Sequence, residues 1–191
     1  MNDDQLLISK AQDGDSDAFR DLVEKYKKIV YYFAYDLTSH HEDAEDLSQE
    51  VFCRTYQYLE SFRGECKFTS WLYKITANTF ISQTRKRNFK LLQKRESLEV
   101  SLKLKISTEK NPEEKTESTL LKRHIDDALQ TLSDKERVVF TMKHFHELKI
   151  KEIAETLNLS AGTVKSLLFR AVRKMQKCLA FYKKDMVESV L

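Results

Sequence analysis

The sequence predicts an all-α protein made of two small helical domains that are joined by a flexible linker. The chain has 191 residues but only three glycines and one proline, too few for the turns that strands and hairpins need. Apolar side chains recur every three or four residues, which is the spacing of one face of a helix. This pattern is lost over residues 93–117, where Lys, Glu, Ser and Thr dominate, so the domains are predicted to be 1–92 and 118–191.

The first domain is predicted to contain three helices. Asp15 can cap the first, whose apolar stripe runs from Phe19 to Phe33, and Ser39 with Glu42 fits a capping box for the second. A short loop around a glycine precedes the third helix, which ends in a basic run. The inward-facing residues of the second and third helices are expected to be Ala44, Leu47, Val51, Tyr56, Leu59, Trp71, Leu72, Ile75, Thr79 and Phe80.

The second domain is predicted to begin near Ser118 with two helices. Ser133 and Glu136 fit a capping box that separates them. Their buried apolar residues are expected to be Leu121, Ile125, Leu129, Leu132, Val138, Val139, Met142 and Phe145.

Residues 150–175 have the spacing of a helix-turn-helix. Ala154 is small where two helices cross, Asn158 can adopt the left-handed turn conformation, and Ser160 can cap the second helix. Val164, Leu168, Val172 and Met175 would continue the core. The opposite face carries hydroxyls and long cations, which suit phosphates and guanine edges in a major groove. A plain helical hairpin within a bundle is the alternative interpretation. The predicted DNA contacts are Gly162, Thr163, Lys165, Ser166, Phe169, Arg170 and Arg173.

The start of the third helix mixes aromatic residues with cations. Bases of melted DNA can stack on the former while phosphates pair with the latter, so Arg63, Lys67 and Lys74 are interpreted as nucleic-acid contacts. The aromatic residues could instead belong to the core, and for Trp71 both interpretations stay open.

The second helix is strongly acidic. Its polar residues resemble a docking surface for a basic protein partner, because carboxylates would be repelled by DNA phosphates. Metal binding is the weaker alternative, since consecutive helical side chains splay apart and do not converge on one ion. The predicted docking residues are Asp43, Glu45, Asp46, Gln49 and Glu50.

Composition argues against several other classes of protein. Three glycines leave no phosphate-cradling loop, and no nucleophile elbow is present, so no enzyme activity and no cofactor are predicted. Cys53, Cys66 and Cys178 lack CxxC spacing, and His144 and His146 would face different sides of a helix, so no metal site is expected. Without a signal peptide or a long apolar run, the expected location is the cytoplasm.

Five segments together resemble the extracytoplasmic-function group of the sigma-70 family, whose members bring bacterial RNA polymerase to promoters and help to open them. They lie at residues 43–52, 62–64, 68–78, 152–154 and 162–166, in the order and spacing of that family. The resemblance covers nearly all of the chain outside the linker. It implies an all-α protein that works as an initiation factor and has no catalytic site of its own.

The resemblance also implies a role for each segment. The acidic helix, extended to Phe52, would grip the clamp helices of the polymerase β′ subunit, and the helix-turn-helix would read the minus-thirty-five element. The linker would thread through the polymerase, whose β subunit is a further expected contact. An anti-sigma protein is the other expected partner, and no direct insertion in the membrane is expected. The minus-ten element would be read by Arg63, Gly64, Lys67, Phe68, Trp71, Lys74 and Asn78.

One position departs from the family pattern. Leu167 stands where many relatives carry an arginine, which is expected to remove one cation from the DNA-facing helix. Two rival functions stay open: a helix-turn-helix regulator whose first domain dimerises or binds a ligand, and a polymerase-binding adaptor without DNA contact.

Overall fold

The computed structural model of the protein describes residues 3–97, 117–180 and 182, and all regular elements among these residues are helical. The predicted all-α class is therefore confirmed. Residues 98–116 of the predicted linker lie outside the described residues, whereas residues 93–97 continue a helix. The helices are α1 (Asp3–Gln12), α2 (Ser16–Thr38), α3 (His41–Tyr58), α4 (Phe68–Ser97), α5 (Glu117–Gln130), α6 (Asp134–His144), α7 (Ile150–Leu157) and α8 (Ala161–Cys178), with a 3-10 turn at Leu59–Ser61.

Helices α1–α4 form the N-terminal bundle. The Asp15 side chain accepts hydrogen bonds from the main-chain N–H groups of Asp17 and Ala18, as predicted for the cap of α2. Helix α1 was not predicted, and it packs against the bundle through buried Ile8 and Ala11. The largest fully buried side chains of the bundle include Leu22, Phe33, Leu37, Leu47, Val51, Leu59 and Leu72.

Two predictions about α3 were wrong. Ser39 ends α2 in the left-handed conformation, with φ of 60°, and so does not cap α3, which follows His40 without a side-chain cap. Tyr56 is 55% exposed, and Thr55 takes the inward position because it lies four residues, one helical turn, after Val51.

Helices α5–α8 form the C-terminal unit. The predicted capping of α6 is confirmed, because the Ser133 N–H donates to Glu136 Oε2 at 3.0 Å. Leu121 and Phe145, however, are each 42% exposed, contrary to prediction. Leu121 lies one turn before Ile125, which packs against the buried cluster that α5 shares with α8, and Phe145 lies past the end of α6.

The two helical units pack directly against each other, which was not predicted. Helix α6 contacts α2 and α4, and helix α7 contacts α4. Buried residues of both units, among them Phe33, Tyr73, Met142 and Ile153, belong to one continuous apolar cluster. Within the described residues, the two units are therefore packed together, and the surfaces described below lie on this one packed structure.

Candidate nucleic-acid and protein interfaces

Helices α7 and α8 adopt the predicted helix-turn-helix conformation. Asn158 ends α7 with φ of 53°, the left-handed geometry that lets the chain turn sharply. Ser160 Oγ then accepts a hydrogen bond from the Thr163 N–H at 3.0 Å and starts α8. Ile153 and Val164 are fully buried between the two helices. The turn chemistry predicted from the sequence is thus confirmed residue by residue.

The outer face of α8 brings together all seven residues predicted to contact DNA. Phe169 is 63% exposed, and the Arg173 guanidinium lies 5.3 Å from the centre of its ring in a cation–π contact. This surface offers hydroxyls, cations and one apolar ring on a single helix face. Its exposed members are Gly162, Thr163, Lys165, Ser166, Phe169, Arg170 and Arg173.

Leu167 requires a correction. It is only 5% exposed and belongs to the apolar cluster with Val164 and Leu168, so it lies on the inward face of α8. The leucine therefore adds apolar packing to the core. It does not occupy a position on the exposed DNA-facing side, to which its neighbour Ser166 belongs.

A buried carboxylate organises the cations of α8, and sequence reasoning assigned it only a capping role. Glu136 accepts a hydrogen bond from Lys174 Nζ at 2.7 Å and pairs with Arg170 Nε at 3.3 Å. Burial would raise the pKa of the Glu136 carboxyl, but hydrogen bonds from Lys174 and Ser133 lower it below its usual range. Glu136 therefore stays ionised and fixes two long side chains beside the DNA-facing surface.

The segment predicted to read the minus-ten element forms a second surface. Gly64 has φ of 71°, and no neighbouring atom lies within 4 Å of the position of an added Cβ. This position therefore favours glycine because of its backbone conformation, and not because a side chain would clash. Arg63, Lys67 and Asn78 are exposed, whereas Trp71 and Lys74 are half-buried. The loop and the first turns of α4 thus display most of the predicted set together.

Phe68 differs from the rest of this set. It is 5% exposed and makes edge contacts with the rings of Tyr26 and Phe62, at centroid distances of 5.2 and 5.4 Å. Its ring also lies 5.6 Å from that of Trp71. Phe68 therefore supports the aromatic residues next to the loop and does not present its own ring to a ligand, which corrects the direct contact expected from the sequence.

A residue of α1 holds the start of the loop and was missed. The side-chain amide of Gln12 donates to the main-chain carbonyls of Leu59 and Phe62, at 2.9 and 2.8 Å. The first carbonyl belongs to the residue that begins the 3-10 turn, and the second to the residue that follows the turn and begins the loop. No sequence signal linked Gln12 to a segment about 50 residues away, because the contact exists only after α1 packs on the bundle.

The predicted docking residues lie along α3. Glu45, Asp46 and Gln49 are exposed, whereas Asp43 pairs with Arg87 at 3.0 Å and Glu50 pairs with Arg54 at 2.7 Å. Phe52 is half-buried and lines an apolar groove between α2 and α3. The contribution of α2 was missed by sequence reasoning, and the groove residues are Val23, Lys27, Lys28, Tyr31, Tyr32, Glu45, Ser48, Gln49 and Phe52.

Within the described residues, no group of histidine, cysteine and acidic side chains has the geometry to hold a metal ion. None of the described helices is long and apolar enough to cross a membrane. His146 lies in the turn after α6 and not within a helix, so the comparison of helix faces with His144 does not apply.

Two family models match the chain. The model described as Sigma-70 region 2 matches residues 22–90, and the model described as Sigma-70, region 4 matches residues 122–175. The matched segments contain both candidate DNA surfaces and the acidic helix.

Whole-length relatives agree with these matches. The ECF RNA polymerase sigma factor SigW of Bacillus subtilis is 34% identical over 177 residues, which cover 90% of this chain and 94% of that protein. The ECF RNA polymerase sigma-E factor of Haemophilus influenzae is 33% identical over 175 residues, 88% of this chain and 90% of that one.

Solved structures share the fold. The sigma factor RpoE in complex with the anti-sigma factor NepR from Bartonella quintana superposes with a TM-score of 0.63 at 24% identity, over 85% of this chain and 96% of that one. CnrH, in complex with the cytosolic domain of CnrY, has the same TM-score of 0.63 at 20% identity, over 93% of this chain and 97% of its own.

Proposed function

The chain belongs to the extracytoplasmic-function group of the sigma-70 family, and from this premise we propose which of its surfaces performs each task of a sigma factor. The protein directs core RNA polymerase to specific promoters and helps to open them for transcription initiation. A regulator with a dimerisation or ligand-binding first domain does not account for the region 2 match over residues 22–90. An adaptor without DNA contact does not account for the cationic face of α8.

We assign residues 118–191 to recognition of the minus-thirty-five element. The exposed face of α8 carries the assignment, because it combines the N-terminal end of a helix with hydroxyls, cations and the ring of Phe169. Lys165 is free to follow the DNA surface from the first turns of the helix. The buried Glu136 carboxylate pairs with Arg170, which limits the positions that the Arg170 guanidinium can take.

Residues 1–92 are assigned to the minus-ten element and to polymerase docking, and residues 93–117 to the linker. The loop from Phe62 to Lys67 and the exposed amide of Asn78 suit a base taken out of the duplex, since the amide offers both a donor and an acceptor. Lys67 and Lys74 can pair with the flanking phosphates. Phe68 and Gln12 support the loop from inside.

The acidic face of α3 and the adjacent groove are assigned to docking on the β′ subunit. Exposed Glu45 and Asp46 suit a basic partner surface, and the groove beside them provides apolar area that Tyr32, 59% exposed, extends. Such a mixture of a charged rim and an aromatic patch is typical of protein interfaces.

Three further properties form part of this proposal. The protein acts as a non-catalytic subunit of the polymerase, and it works in the cytoplasm, where core polymerase and promoters are found. An anti-sigma protein is its inhibitory partner, a role supported by the complex in which the similarly folded sigma factor RpoE was solved with the anti-sigma factor NepR.

The docking assignment is tested by charge reversal on α3. Glu45→Lys with Asp46→Lys is expected to weaken binding to core polymerase by about tenfold or more, because like charges would then face each other. Asp13→Lys with Asp21→Lys, a pair of exposed acids outside α3, is the matched control and should bind normally. Equal binding by both double variants would exclude α3 as the docking helix.

A further inference from the structure

A cleft of about 640 Å³ separates helix α1 from the loop between Phe62 and Lys67, the minus-ten loop. Asp4 lines the α1 side of this cleft, and Gly64 and Lys67 line the loop side. Asn78, which is assigned to the extruded base, is not among the described residues around the cleft. The volume lies in the range of roughly 300–1,000 Å³ that small-ligand sites usually have. The loop therefore borders a second site, separate from Asn78.

One wall of the cleft is aromatic and is held in place by its neighbours. Phe62 lines the cleft, is half-buried, and packs edge-on against Phe68 at a centroid distance of 5.4 Å. Phe68 in turn packs edge-on against Tyr26 of α2 at 5.2 Å. The main-chain carbonyl of Phe62 accepts a hydrogen bond from Gln12 at 2.8 Å. The Phe62 ring is therefore positioned before a ligand arrives, as a platform for stacking requires.

The α1 side of the cleft carries a fixed carboxylate. Asp4 Oδ2 accepts a hydrogen bond from the Tyr26 hydroxyl at 2.8 Å, and Oδ1 pairs with Lys25. The hydrogen bond from Lys25 lowers the pKa of the Asp4 carboxyl below its usual range, so the group is ionised at neutral pH. The side chain is 25% exposed, and each of its oxygens can accept a further hydrogen bond. Lys25 also offsets the negative charge that would otherwise repel DNA phosphates.

The groups around the cleft match the parts of a nucleotide. A base can stack on Phe62, its exocyclic amino group can donate to Asp4, and the exposed Lys67 can pair with its phosphate. Cytosine and adenine carry such an amino group, whereas thymine presents a carbonyl oxygen that a carboxylate repels. The space beside Gly64 is open, so the loop backbone does not block an entering strand.

We propose that this cleft is a nucleobase pocket that takes a second unstacked base of the opened strand and prefers a base with an exocyclic amino group. Asp4 determines this preference, and Phe62 provides the stacking surface. The inference rests on the proposed function, because an opened strand reaches the cleft only if the loop works at the minus-ten element. It goes beyond that function by giving base recognition to α1, which lies outside the segment matched by the region 2 model.

The preference is measured with the holoenzyme on promoters whose minus-ten segment is pre-melted. At each position of the non-template strand, cytosine is compared with pyrimidin-2-one, and adenine with purine, because each pair differs only by the amino group. We expect one position, distinct from the one that depends on Asn78, at which loss of the amino group weakens binding roughly tenfold, as for one hydrogen bond to a charged group. Asp4→Ala should abolish this difference. Asp13→Ala, which removes an exposed acid outside the cleft, is the matched control.

A preference for the amino-bearing base that Asp4→Ala loses and Asp13→Ala retains supports the pocket. Binding that is indifferent to the amino group at every position, or a preference that survives Asp4→Ala, overturns recognition of the strand. If circular dichroism shows that Asp4→Ala loses helix content, Asp4→Asn decides, because its side-chain oxygen can still accept from Tyr26. Asp4→Asn should bind thymine at this position as well as the amino-bearing bases, since its amide can donate to the thymine carbonyl.

A free nucleotide has the same chemistry as a base of the strand, and a titration of the chain alone separates the two sources. Cytidine monophosphate and its analogue without the amino group are added to the isotopically labelled chain, and the amide signals of Gly64 and Lys67 are followed by NMR. Saturable, amino-dependent shifts without any strand preference would identify a free-nucleotide site and overturn the assignment to the opened strand. Failure to bind core polymerase would contradict the proposed function. In that case, the absence of amino-dependent shifts would also overturn the nucleobase pocket.

Discussion

The side-chain amide of Gln12 donates a hydrogen bond to the main-chain carbonyl of Phe62 at 2.8 Å, and so ties the first helix to the first residue of the minus-ten loop. The same amide also donates to the carbonyl of Leu59, the first residue of the 3-10 turn. The loop therefore owes its position to a helix that lies outside the segment matched by the region 2 model.

Gln12→Ala is expected to loosen the loop. Loss of two partly buried hydrogen bonds should lower the free energy of unfolding by about 1–3 kcal/mol, measured by urea denaturation. In the holoenzyme, the variant should form open complexes more slowly than the wild type on a duplex promoter. On a pre-melted promoter its deficit relative to the wild type should be smaller, with core binding unchanged. Gln5→Ala, on an exposed position of the same helix, is the control. Equal deficits on both promoters would mean that Gln12 only stabilises the fold.

Glu136→Gln is expected to release the two cations that the carboxylate holds. Free Arg170 and Lys174 would pair with phosphates of any sequence, so nonspecific DNA binding should increase and its dependence on salt should steepen. The measurement is binding to random duplexes over a range of salt concentrations. A decrease in nonspecific binding would show instead that Glu136 orients the cations productively.

The same glutamate predicts a pH dependence of stability. Its pKa is lowered in the folded state, so its contribution to stability is complete above the ordinary glutamate pKa of about 4.3 and is lost as pH falls through the folded value. The wild type should therefore lose its stability advantage over Glu136→Gln on acidification below that pH. A constant difference between the two unfolding free energies from pH 7 to pH 3 would exclude this linkage.

Turn and capping chemistry was predictable because its signals are local. Asn158, Ser160 and Asp15 perform the turn and capping roles that residue type and spacing indicate. Leu167 and Phe68 were wrongly expected on DNA-facing surfaces, whereas both are buried. The error arose because leucine and phenylalanine are common in interfaces as well as in cores. The contacts of Gln12 with Leu59 and Phe62 could not be predicted, because they join residues distant in sequence and depend on how the helices pack. The same holds for the pairing of Glu136 with Arg170 and Lys174.

The turn residue itself offers a test of the left-handed conformation. Asn158→Ala should destabilise the chain by about 1–2 kcal/mol, because a side chain with a Cβ and no local hydrogen bond is strained at φ of 53°. Asn158→Gly removes the amide contact with Lys74 as well, yet avoids the strain, so it should be the more stable variant. Urea unfolding of both variants provides the comparison. Greater stability of the alanine variant would contradict the assigned geometry.

Alanine substitutions on α8 should distinguish residues that contact a base edge from residues that contact only phosphates. If Lys165 bonds to a base edge, Lys165→Ala should cost about 1–3 kcal/mol at one position of the minus-thirty-five element, whereas removal of a phosphate partner weakens binding to all sequences alike. Arg170→Ala also removes one of the two cationic partners of the Glu136 carboxylate, and is expected to reduce stability in addition. Holoenzyme affinities for a panel of single-base variants give both profiles. Unchanged affinity for every sequence would remove the residue from the interface.

The most direct test of the account is selection of promoters from a random DNA library by core polymerase with and without this chain. We expect the chain with core polymerase to enrich two short elements at a constant spacing, one bound as duplex and one read in the opened strand. Neither core polymerase alone nor the chain alone should enrich the pair. Enrichment of the same sequences by the chain alone, with equal affinity, would contradict the assignment of its surfaces to a polymerase-dependent initiation factor.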